Sequence, residues 1–210
     1  MPSTTRSSPR RSAAERNAEI AETARRIALV DGLPAITLRS VAAEMGVAPA
    51  LVAHYQPSMD AVVADAFAAV TSAELRELEE FTGRRSDPVD QLAALLTTLL
   101  DGSHAAVSLV WVQSWALGER NPVLAARVRE QMDAWRGFLA AIIRDGTTRG
   151  SFHADDAAAT AGQILGMIDG VNAHAVVGWT GSDRIDLMER SVEALLEAPR
   201  GTLGAARARL

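Results

Sequence analysis

The sequence contains no cysteine and no lysine. Without cysteine there are neither disulfides nor thiolate metal ligands, so the fold must rest on its packed core. The basic residues, histidine aside, are all arginine: 21 of them face 26 carboxylates, for a net charge of −5. Such a balance excludes coating by nucleic acid over the whole surface but leaves room for a local basic footprint. Aromatic residues are scarce at 4%, with one tyrosine. No uncharged apolar run reaches the about 18 residues that a membrane span requires, so no membrane partner is expected. The opening residues are rich in Ser and Arg and lack an apolar stretch, unlike a secretory signal, and the expected location is the cytoplasm. A G-x-S-x-G elbow, a phosphate loop and an H-E-x-x-H pair are all missing. His104, His153 and His174 are scattered, without metal-ligand spacing. The expectation is therefore no enzyme, no cofactor and no metal.

What is present is alanine, and helical punctuation. Apolar residues make up 48% of 210 residues, enough for a sizeable core. No alternating strand pattern and no internal repeat occurs, so the predicted class is all-α with about nine helices. The first 14 residues, with Arg6, Arg10 and Arg11, read as an arginine-rich disordered arm. That arm is either a solvated tail or a reach toward DNA phosphates and an adjacent minor groove. Helix one is expected over 12–30, with Ile20, Ala24, Ile27 and Ala28 inward and Asp31-Gly32 as its end.

Residues 37–55, TLRSVAAEMGVAPALVAHY, hold two short helices in close succession. Leu38, Val41, Ala42 and Met45 recur at i, i+3, i+4 and i+7, one stripe of a helix. Thr37 can cap its start. Gly46 suits the left-handed turn that ends it. Pro49 opens the next helix, where its missing N–H costs nothing. Two helices joined by a short turn containing glycine match the helix-turn-helix, whose second helix enters the major groove.

In this region the chain resembles the tetracycline-repressor (TetR) family of bacterial transcription regulators. The resemblance rests on Ile20-x3-Ala24, Gly32, Thr37-Leu38-Arg39-x-Val41-Ala42, Met45-Gly46-Val47-Ala48-Pro49-Ala50-Leu51-Val52, His54-Tyr55 and Pro57-Ser58-x-Asp60-Ala61. The ALVAHY run is most similar to the branch that includes the choline/betaine repressors. These motifs cover residues 15–67, about a quarter of the chain. The resemblance implies a head over 15–60 that binds double-stranded operator DNA. Thr37 and Arg39 would lie near backbone and groove edge, and Ala48, Pro49, Ala50, Ala53 and His54 on the reading helix. Tyr55 would contact a phosphate, and Arg10 and Arg11 would assist from the arm. His54 is either a base contact or a bystander on the helix surface.

The departures from the family pattern remove contacts. Ala53 stands where a tyrosine is common, Gln56 where an aromatic is usual, and Met59 in place of a phosphate-binding lysine. Ala48 replaces a Ser or Thr cap. The reading face is thereby mostly apolar, able to touch thymine methyls but short of hydrogen bonds. Weak intrinsic affinity is expected, offset by the arm or by DNA shape.

The remainder reads as a helical regulatory and dimerisation body over 61–198, followed by a frayed tail over 199–210. Ser58 caps helix four, which reaches about residue 81. Asp87-Pro88 starts helix five and Asn121-Pro122 starts helix seven, with helix six between, over 104–117. Helix seven is long, to about 149, with Met132 among its inward residues. Helix eight spans about 155–177 and helix nine about 183–197, with Leu187 counted on its apolar face.

The resemblance implies a homodimer through helices eight and nine. Gly162, Gly166 and Gly170 either permit close approach of a second copy or relieve crowding within one chain. Trp111, Trp115 and Trp135, with Gln113, Ser114, Met167, Asp169 and Asn172, form a candidate ligand site. Aromatic faces beside an acid suit a cation, although a tryptophan stripe is more often core than pocket. The function expected is a dimeric regulator, a repressor released by a small effector; the alternative is a helical carrier that has lost DNA binding.

Overall fold

The computed structural model describes residues 12–181 and 183–210. Arg10, Arg11 and nearly all of the expected arm lie outside the described residues. The described chain forms ten α-helices and one 3₁₀ turn, with no strand. They are α1 (Ala13–Asp31), the turn Leu33–Ala35, α2 (Leu38–Glu44), α3 (Pro49–Tyr55), α4 (Met59–Gly83) and α5 (Pro88–Leu100). α6 (Ala105–Gly118), α7 (Pro122–Thr148), α8 (Ala157–Val176), α9 (Arg184–Leu195) and α10 (Thr202–Arg207) follow. The class is all-α, as expected.

Helix starts follow local chemistry. Ser12 and Glu15 form a reciprocal capping box at α1. The Asp87 carboxylate accepts from Val89 N–H at 2.8 Å, and Asn121 Oδ1 from Leu124 N–H at 2.9 Å, each ahead of a first-turn proline.

Two cores divide the molecule. The head core gathers Ile20, Ala24, Leu33, Val41, Val52 and Phe67, and continues into the body through Val110, Leu124 and Val128. The body core is built on the leucines of α5 with Leu139, Ile143, Ile164 and Val192. Trp111 packs against both. Its ring meets Phe67 of α4 edge to face at 5.1 Å.

The expected frayed tail is a correction. Residues 202–207 form α10, and Leu203 and Ala206 are fully buried. The helix is held by Glu193 of α9, whose carboxylate accepts the N–H groups of Gly201 at 2.9 Å and Leu203 at 2.8 Å. A side chain from another helix thus satisfies N–H groups that open α10, a relation no local pattern displays. Two residues counted as inward are also corrected: Met132 is 46% exposed and Leu187 is 50% exposed. Among the described residues no single helix is long and apolar enough to cross a membrane; α5 and α6 pass that test only as a pair bent by 79°.

Candidate nucleic-acid interface and ligand cavity

α2 is capped reciprocally. Ser40 N–H donates to Thr37 Oγ1 at 3.0 Å and Thr37 N–H to Ser40 Oγ at 2.9 Å. It ends in a Schellman turn: Gly46 N–H reaches Ala43 O at 3.1 Å and Val47 N–H reaches Ala42 O at 2.9 Å. Gly46 holds φ +65°, and a Cβ there would meet nothing within 4 Å. The position therefore needs glycine for its conformation and not for space. α3 buries only Val52 and starts without a side-chain cap, because Ala48 has no acceptor.

The outward side of this hairpin carries the expected residues. Thr37, Arg39, Ala48, Pro49, Ala50, Ala53 and His54 are all exposed. Arg39 has no ion pair among the described residues, so its charge is available. Tyr55 is half-buried against the head core, with its ring edge-on to His54 at 5.0 Å. Gln56 is not simply a lost aromatic: its Nε2 donates to Asn17 Oδ1 of α1 at 3.3 Å, bracing the end of α3. Met59 packs on the same core.

Below the head, α4, α6, α7 and α8 enclose a cavity of about 370 Å³. Trp111, Trp115, Trp135, Asp169 and Asn172 line it, as the sequence suggests. Ser114 and Met167 do not. Ser114 is fully buried and its hydroxyl donates to Trp111 O at 2.7 Å. Met167 packs on the body core, since two residues along a helix turn it to the side opposite Asp169. Gln113, by the same geometry, points away from Trp111 and toward the head.

Sequence reasoning missed Glu74. It is 6% exposed and lines the cavity from α4, where His104 Nδ1 bonds its Oε1 at 2.8 Å. The signal was a carboxylate on the stripe that Phe67, Val70, Thr71 and Leu78 bury. Gly162 and Gly166 also line the cavity. A Cβ on Gly166 or Gly170 would meet nothing within 4 Å, so crowding within the chain is not what they relieve.

The cavity wall carries both signs of charge, with Glu74, Asp133 and Asp169 against Arg129 and Arg136. Burial, and then the nearby Glu74 charge, push the Asp169 carboxyl up to about 6. The hydrogen bond to Glu74 raises His104 above its ordinary value. The indole N–H groups of Trp115 and Trp135 are buried without partners. Such donors are costly when left unpaired.

The family model of the BetI-type transcriptional repressor C-terminal domain matches residues 88–197, just over half of the chain. The chain belongs to the TetR family of transcriptional regulators, in its BetI-type branch. Regulators of this family are DNA-binding helix-turn-helix proteins that also bind ligands. Solved TetR-family structures share the fold. A regulator from Saccharomonospora viridis, in complex with choline, is 24% identical with a TM-score of 0.73, over 88% of this chain and 96% of that one. A TetR-family regulator from Rhodococcus sp. is 17% identical with a TM-score of 0.72, over 87% and 99%. FadR from Bacillus subtilis, in complex with stearoyl-CoA, is 19% identical with a TM-score of 0.66, over 87% and 99%. No curated protein matches the chain in sequence.

Proposed function

We propose that this TetR-family regulator is a dimeric repressor, released from a pseudo-palindromic operator by a small organic cation bound in the body. The observation that carries the effector class is the meeting of Trp111, Trp115 and Trp135 with Asp169 and Glu74 in one cavity. Indole faces attract a quaternary ammonium, and a desolvated carboxylate supplies its counter-charge. The choline in the Saccharomonospora viridis regulator is a guest of this chemistry.

The reading surface is the outward face of α3 with Thr37, Arg39 and Tyr55, joined by Arg10 and Arg11 of the arm. Two heads are needed for two half-sites. α8 and α9 supply the pairing face through Gln163, Met167, Gly170, Leu187, Arg190 and Ala194, and Gly170 lets a second helix approach closely. Ligand in the cavity acts on Trp111 and Glu74, hence on α4, and shifts the separation of the heads by as much as it prefers one state.

The test is titration of the DNA upstream of its own gene at several salt concentrations, with and without choline. Salt-sensitive binding that choline weakens supports the reading. Ligand binding without DNA binding would instead favour a carrier. Deleting residues 1–11, which leaves the Ser12 cap and α1 intact, tests the arm: an unchanged affinity and salt slope would reject its role.

A further inference from the structure

The cavity does not end at Asn172. A second cavity of about 260 Å³ lies beside it, lined by Gly102, Ala105, Leu109, Ala175, Val176 and Arg184. The two share three wall residues, Leu99, Ser108 and Asn172. They are therefore neighbouring chambers along α8, with two polar side chains at the junction. The chambers differ in charge. Glu74, Asp133 and Asp169 line the first together with Arg129 and Arg136, whereas the one charged residue on the second is Arg184.

Arg184 opens α9, is half-buried, and has no ion pair or hydrogen-bond partner among the described residues. Its guanidinium lies 3.6 Å from where a Cβ on Gly102 would sit, ordinary van der Waals contact with the loop that opens this chamber. Other arginines offer less. Arg136 is paired with Asp133 at 2.8 Å, and Arg129 stands exposed at the rim of the first chamber.

We propose that the effector is a zwitterion, with its ammonium group among the tryptophans and Asp169 and its carboxylate past Ser108 and Asn172 on Arg184. This rests on the cationic reading above and adds the second charge. A guest with both charges leaves no bare carboxylate or guanidinium in a desolvated site. Arg184 gives a carboxylate a forked pair of donors. Along α8, Asp169 of the first chamber and Ala175 and Val176 of the second are six to seven residues apart, roughly 10 Å at about 1.5 Å rise, a length that suits a trimethylammonium acid with about five to seven methylenes.

Calorimetric titration of the full chain with trimethylammonio-hexanoate, trimethylammonio-hexanol and choline decides the matter. The acid is expected to bind at least about tenfold tighter than the alcohol. Arg184→Gln should erase that difference while leaving the alcohol's affinity as it was, and Arg184→Lys should restore most of it. Equal binding of acid and alcohol to the natural chain overturns the second chamber's role and leaves the cationic reading standing. So does a preference for the acid that survives Arg184→Gln but is lost in Arg129→Gln. If none of the three compounds binds, the cationic reading itself fails and takes this one with it.

Discussion

The side-chain oxygen of Gln113, on α6, accepts the backbone N–H of Leu33 at 2.8 Å, across 80 positions of sequence. Gly32 makes this approach possible. Its φ of +86° suits glycine alone, and a Cβ there would lie 2.6 Å from the Gln113 amide. α6 therefore carries the cavity's Trp111 and Trp115 on one side and grips the head on the other. Asn121 adds a second tie from the body, its Nδ2 donating to Asp60 O of α4 at 3.1 Å.

Gln113→Ala removes the acceptor of a half-buried N–H and should cost roughly 1–3 kcal/mol in urea denaturation. Gly32→Ala adds a forbidden backbone geometry to a clash and should cost at least about as much. The more telling readout is coupling. In the Gln113→Ala protein, choline should bind as before by calorimetry, yet displace less operator DNA. Unchanged displacement would mean that α4 alone transmits the signal.

Asp169 predicts a pH dependence. Its folded pKa, about 6, lies above the ordinary 3.8, so the folded chain holds the extra proton. The stability this gives is complete below about pH 4 and is lost as pH rises through about 6, at most about 3 kcal/mol in all. His104, raised by Glu74, acts in the same direction: its contribution is full below 6.5 and is lost above its raised value. Asp169→Asn should therefore melt higher than the natural chain near neutral pH and the same near pH 4. A cation needs the ionised form, so choline should bind about tenfold more weakly one unit below the Asp169 pKa than well above it. Asp169→Asn should flatten that profile. A profile that persists in the variant assigns it to another group.

Gly166 separates stability from binding. Because a Cβ there meets nothing within 4 Å, Gly166→Ala should stabilise α8 by about 0.5–1 kcal/mol in thermal or urea melts. Gly166→Leu projects a larger side chain into the same space. It should leave the fold intact by circular dichroism while weakening choline binding by about tenfold or more in calorimetry. Unchanged affinity in the leucine variant would place the ligand elsewhere.

Which parts were legible depends on range. Thr37, Ser58, Asp87 and Asn121 cap the helices they precede, because a cap speaks to residues two or three positions away. The hairpin read correctly for the same reason: Gly46 and Pro49 have local meanings. Trp111 and Trp115 could be placed on one face by counting turns, but counting could not say which face lay inward. Hence Ser114 and Gln113 were set beside the ligand, and Glu74 was overlooked. Its partner His104 lies 30 positions away, in the turn that precedes α6. The dual role of Trp111, against both cores, belongs to the packing and to no stretch of sequence.

α10 is where local reading failed most, and it yields the last prediction. Leu203 is fully buried on α5 and α9, so Leu203→Ala should cost about 2–3 kcal/mol in urea denaturation. Glu193→Ala leaves the N–H groups of Gly201 and Leu203 without their acceptor and should cost roughly 1–3 kcal/mol. Both changes act by undocking one helix. The double variant should therefore lose less than the sum, and removing residues 199–210 should set the ceiling for all three. Arg207 and Arg209 pair with Asp186 and Asp90, but these are exposed contacts. Arg209→Ala should therefore change stability by less than about 1 kcal/mol. A frayed tail predicts the reverse pattern, with Leu203→Ala silent and the truncation harmless. The two accounts are told apart by one denaturation series.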